Sequence, residues 1–156
     1  MKKILCLVLL FEVINPMIRS QEIIEPGKFE PAKIKDELIK KYNKFNGKLS
    51  DQTVELWDTY FLKSPNIGNM HEGRPEIGWQ IFHDGTVKFV EQEYEGIMEI
   101  SDLKIYPISS NIAWVQGFLV QKDGERVGKA LFYDSLVKTV DGWRVILSVV
   151  SKPEFE

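Results

Sequence analysis

The sequence predicts an α+β fold in which three N-terminal helices pack on a strongly curved antiparallel sheet. Three observations carry that expectation. Apolar residues recur at helical spacing as far as Glu91, extended runs separated by turn residues occupy the rest, and those runs are apolar on both faces. A sheet that avoids water on both sides must be covered twice.

The elements follow in order. Pro31 suits a first helical turn, and Ile34, Leu38, Tyr42 and Phe45 continue one stripe until Asn46-Gly47 stops it. Ser50 is the expected N-cap of a shorter helix with Val54, Trp57 and Phe61 on its apolar side, ending before Ser64-Pro65. Within 66–79, four glycines and prolines leave room for a small hairpin turning at Glu72-Gly73. A third helix is expected from Glu76, on the spacing of Ile77, Ile81, Phe82, Phe89 and Val90.

Four strands are expected at 97–108, 112–121, 126–140 and 143–151. Lys122-Asp123-Gly124 and Asp141-Gly142 are hairpin turns, which makes the four an antiparallel meander. In the first strand Met98 and Ile100 share one parity while Leu103 and Ile105 take the other, so a bulge belongs at Ser101-Asp102. In the second, Ile112, Trp114 and Phe118 oppose Ala113, Val115 and Leu119. In the last, Trp143, Val145, Leu147 and Val149 oppose Ile146 and Val150. Helices cover one face of such a sheet, and the other invites a second copy, so a homodimer is expected.

The 156 residues suit one domain, placed at 31–152, after a tether at 21–30. Residues 1–20 read as a secretory signal: Lys2 and Lys3, an apolar run at 4–11, then a polar exit through Asn15, Arg19 and Ser20. Export to a periplasmic or extracellular space is the expectation. The single cysteine, Cys6, lies in that segment, so the remaining chain offers no thiol for disulfides, catalysis or metal binding. A net charge of -3 from closely mixed charges gives no basic stripe for nucleic acid. After residue 20 no apolar run reaches the ~20 residues of a membrane helix.

The segments "GRPEIGWQIF" (73–82), "DLKIYPISSNIAWVQG" (102–117) and "DGWRVILSVVS" (141–151), with the order helix, helix, hairpin, helix, meander, resemble the SnoaL-like and DUF4440-like branch of the NTF2-like superfamily. The resemblance covers roughly residues 31–151. It implies an α+β cone, also termed cystatin-like, with a cavity between helices and bent sheet. Ketosteroid isomerases, dehydratases and polyketide cyclases share that cone with proteins that only bind ligands. Its last strand often carries a His two residues before a Ser; Ser151 is present here, but Val149 stands at the His position.

Candidate chemistry is sparse. Asp134, between Phe132, Tyr133, Leu136 and Val137, would act as a proton acceptor if it faced an apolar cavity. Tyr42, on the inner stripe of the first helix, would donate to an oxyanion. His71, on the hairpin bordering the cavity mouth, is the other candidate base. Each also has a plain structural reading, as an edge carboxylate, a core tyrosine and a solvated turn residue. His71 and His83 lie too far apart for a paired zinc motif, and neither a metal nor another cofactor is expected. Tyr42, Trp57, Tyr60, Trp79, Trp114 and Phe132 would wall a pocket for a small hydrophobic or aromatic molecule. The expected function is therefore binding of such a ligand by an exported homodimer. The alternative is a cofactor-independent isomerase or dehydratase with Asp134 or His71 as base.

Overall fold

In the computed structural model the chain is described over residues 22–92 and 95–155. The expected secretory segment, 1–20, lies outside the described residues. The first helix, α1 (Pro31–Asn43), opens on Pro31 and buries Ile34, Leu38 and Tyr42, one stripe at four-residue spacing. Burial of each such side chain stabilises the fold by about 1.5–3 kcal/mol. After it come a two-residue strand β1 (Gly47–Lys48) and a 3-10 turn (Leu49–Asp51) that contains Ser50.

The second helix, α2 (Val54–Asp58), is capped by Thr53, whose hydroxyl accepts from the Leu56 N–H at 3.1 Å. The cap expected at Ser50 is thus displaced by three residues, because the 3-10 turn consumes the intervening chain. The hairpin follows as β2 (Gly68–His71) and β3 (Arg74–Ile77), with Glu72 and Gly73 at φ 51° and 79° in its turn. The third helix, α3 (Trp79–Glu91), starts later than expected. Glu76 and Ile77 are held in β3, and Gly78 at φ 101° takes a conformation no helix continues from.

The meander consists of β4 (Ile97–Pro107), β5 (Ile112–Asp123), β6 (Arg126–Thr139) and β7 (Gly142–Val150); β8 (Glu154–Phe155) then pairs with β6. Spatial order is β1-β4-β5-β6-β7-β2-β3. The meander is antiparallel as expected, but the sheet is mixed, because β2 runs parallel to β7. Only the long excursion through α3 and the meander brings β7 back alongside β2 in the same direction.

Two bulges bend the sheet. One lies between Ser101 and Lys104, where the phase break predicted it, with Asp102 at φ 52°. The other sets Ser135 against Leu147 but Leu136 against Val145, leaving Ile146 as an extra residue on β7. It corrects the expected parity of the last strand. Trp143 and Val145 point into the core, whereas Leu147, just past the bulge, is 45% exposed on the outer side.

The stretch 22–30, read as a tether, is bonded along the end of the sheet. Ile23 bridges Thr139, Val140 N–H donates to the Glu22 carbonyl, and Asn111 Nδ2 donates to the Ile24 carbonyl.

Candidate functional site

Between the helices and the concave face of the sheet lies a cavity of about 370 Å³, within the ~300–1,000 Å³ span of small-molecule sites. Phe45, Trp57, Tyr60 and Phe61 wall one side, and α3 adds Ile81, Phe82, Thr86 and Phe89. The sheet supplies Met98 and Ile100 from β4, Leu119 and Gln121 from β5, Phe132 from β6, and Ser148 and Val150 from β7. The hairpin contributes Asn69, His71 and Glu76 to the lining. The aromatic rings are interlocked: Phe61 and Phe82 centroids are 4.2 Å apart, Phe45 and Trp57 4.9 Å.

Asp134 lies one layer beneath this wall, 2% exposed, on the inner face of β6. The hydroxyls of Tyr42, at 2.5 Å, and Tyr60 both donate to its Oδ2. Oδ1 has no hydrogen-bond partner of good geometry, although the Ser148 hydroxyl, across the β6–β7 ladder, is close enough to favour the charged form. Burial raises the Asp134 pKa, and Ser148, Tyr42, Tyr60 and the charge of Lys41 only partly oppose that rise. Burial, reinforced by the Asp134 charge, also raises both tyrosines well above their ordinary value, so each remains a donor at neutral pH.

Lys41 completes the group. Its stem is partly exposed, but the ammonium turns inward, donating to the Thr59 carbonyl at 2.9 Å and lying 5.1 Å from the Tyr60 ring centroid. Loss of hydration, then repulsion from Arg144, lowers its pKa to about 7.

The structure brings Tyr42, Tyr60 and Asp134 together and leaves His71 apart from them on the hairpin. Trp57, Tyr60, Phe132 and His71 line the cavity as expected residues of a pocket would. Tyr42 does not: it is fully buried, and its hydroxyl is taken by Asp134, so it offers nothing to an oxyanion. Trp114 is on the opposite face, 59% exposed, because Ala113 and Val115 take the inward parity of β5. Trp79 stacks on His83 at 4.6 Å beside a separate hollow formed with Lys63, Ser64 and Pro65. The His position of the resemblance, Val149, pairs with Tyr133 and Met70, whereas its neighbours Ser148 and Val150 line the cavity. A His there would point outward.

Sequence reasoning missed Asn69, Glu76, Ser148 and Lys41. Period-two alternation through the hairpin could have placed Asn69 beside His71. Nothing in sequence marks Lys41, which follows an apolar stripe as surface lysines commonly do. Among the described residues no group of three or more His, Cys, Asp or Glu could hold a metal, and no helix is long and apolar enough to cross a membrane.

Neither a protein-family profile nor a curated protein matches the sequence. Solved structures do. An NTF2-like protein of unknown function from Shewanella oneidensis superposes with TM-score 0.62 at 17% identity, covering 79% of this chain and 100% of that one. A candidate ketosteroid isomerase from Shewanella frigidimarina gives 0.56 at 12% identity over 76% and 94%. A candidate scytalone dehydratase from Novosphingobium aromaticivorans gives 0.55 at 12% over 79% and 83%. The fold is therefore the NTF2-like, or cystatin-like, cone. Within that class the chain is a cone whose cavity is walled mainly by apolar side chains, seven of its lining residues being aromatic.

Proposed function

We propose that this chain binds a small, mostly apolar molecule in the cone cavity and works as an exported homodimer joined through the outer sheet face. The observation that carries the reading is the cavity itself: seven of its lining residues are aromatic, while Asp134 is committed beneath the wall. Such a wall removes apolar ligand surface from water without presenting a ready acid-base pair. On segments 73–82, 102–117 and 141–151 we assign the chain to the SnoaL-like and DUF4440-like branch. The Lys2-Lys3 and 4–11 pattern supports export.

A second reading rests on Tyr60, which both lines the cavity and donates to Asp134. In an isomerase or dehydratase, Asp134 would receive a substrate proton through that hydroxyl rather than by direct contact. Native mass spectrometry of the protein purified from its own cells tests both readings. We expect an even-numbered complex, a subunit mass lacking residues 1–20, and a small non-covalent adduct. An adduct that loses one water on incubation would favour the dehydratase, and an empty monomer would sink the ligand-binding dimer.

A further inference from the structure

The cavity is lined mostly by apolar side chains, and the hairpin gives its polar part a sign. Among the described residues that line it, Glu76 is the only carboxylate, and none is Lys or Arg. Asp134 lies one layer behind, and Lys41 is outside the lining. Among the lining residues the fixed charge is therefore that of Glu76; Arg74, cross-strand from His71 on the same hairpin, lies outside the lining.

The hairpin aims this group. Asn69 and Glu76 are cross-strand partners in the β2–β3 ladder, so their side chains leave the same face of the ribbon. Met70 and Ile77, on the alternate parity, are 40% and 65% exposed on the other side. Asn69 Nδ2 donates to Glu76 Oε2 at 2.8 Å, which orients a half-buried carboxylate against the cavity. An ionised carboxylate has about four lone-pair sites, so a single amide donor leaves room for a ligand donor.

The remaining wall agrees with that sign. Aromatic faces present negative quadrupole density, which attracts a cation and disfavours an anion. Trp57, Phe82 and Phe89 would hold an apolar body while Glu76 takes a charged end.

Resting on the ligand-binding reading, we infer that the cavity selects a cationic amphiphile: an apolar or aromatic body carrying a protonated amine that pairs with Glu76 at the hairpin. Carboxylates of the same shape are excluded by the same group.

Isothermal titration of the whole chain with naphthylethylamine, naphthylethanol and naphthylacetate tests this, since the three share one ring body and differ in charge. The amine is expected to bind about tenfold tighter than the alcohol. The carboxylate is expected to bind more weakly than either. Glu76→Gln should bring the amine down to the level of the alcohol, and Glu76→Lys should invert the order of amine and carboxylate. If the alcohol binds but the carboxylate equals or exceeds the amine, or if the order survives both substitutions, the cationic assignment is overturned and the apolar cavity stands. If none of the three binds, the ligand-binding reading falls and takes this inference with it.

Discussion

Lys41 and Asp134 are buried groups whose pKa shifts act on stability with opposite sign. The Lys41 pKa falls from an ordinary 10.5 to about 7, so between those values the unfolded chain binds more protons and stability rises with pH. Asp134 is raised above an ordinary 3.8, so the folded chain binds more protons there and stability falls as pH climbs through that window. Urea unfolding from about pH 7 to about pH 9 should show the wild type gaining stability while Lys41→Met stays flat. Equal slopes in the two proteins would mean that the amine is not held in the interior. Part of this cluster was legible in sequence: Asp134 is a carboxylate in a mid-strand apolar run, and Tyr42 falls on the inner stripe of α1. That they bond across 92 residues of chain was not, because only sheet curvature brings the end of α1 over the middle of β6.

At the scale of elements, one carboxylate joins α1 to the sheet. Glu37 Oε2 accepts from Trp143 Nε1 at 2.8 Å and from Lys138 Nζ at 2.6 Å, so the first helix is tied to neighbouring positions of β6 and β7. Burial alone would raise the Glu37 pKa, but the Lys138 and Trp143 hydrogen bonds, with the charges of Lys138 and Lys33, hold it below the ordinary 4.5. The stability this contributes is present above that value and is lost as pH falls through the folded pKa. Glu37→Gln should cost about 1 kcal/mol at neutral pH, discounted for the partial exposure of the pair, and the difference should vanish in acid. Denaturant midpoints at unchanged m-value, followed by tryptophan fluorescence, would show it. An equal penalty at all pH values would mean that the carboxylate acts by shape alone.

The tie also explains why an apolar strand opens on Trp: its ring enters the core while its N–H reaches the helix. The two bulges differ in legibility for a physical reason. At Ser101-Asp102 the apolar residues change parity across polar ones, which exposes the phase break. At Ile146 three apolar residues run consecutively, so nothing marks the break, and simple alternation keeps Leu147 and Val149 on the face of Val145. The parallel pairing of β2 with β7 left no local trace either, since four residues carry almost no pattern.

For the whole molecule, the homodimer proposed above would form through the convex face of the sheet. Register places Tyr106 opposite Trp114, Trp114 opposite Ser135, and Ser135 opposite Leu147, one row across four strands. Trp114 is 59% exposed, Tyr106 46% and Leu147 45%, and Tyr133 in the adjoining row is 48% exposed. A run of large apolar side chains on a continuous sheet is more than scattered surface hydrophobicity, and in the proposed dimer it would be covered by its own copy about a two-fold axis. The cavity opens on the opposite, concave side, so pairing leaves it accessible. Trp114 stands inside the row, where a charge would be desolvated without a partner. Trp114→Glu should therefore weaken dimerisation at least ~30-fold while leaving circular dichroism and the alcohol affinity of the cavity unchanged. Sedimentation velocity over a concentration series reads the change directly. A wild-type chain that stays monomeric throughout would assign the row to a different partner and separate the assembly of this protein from its cavity.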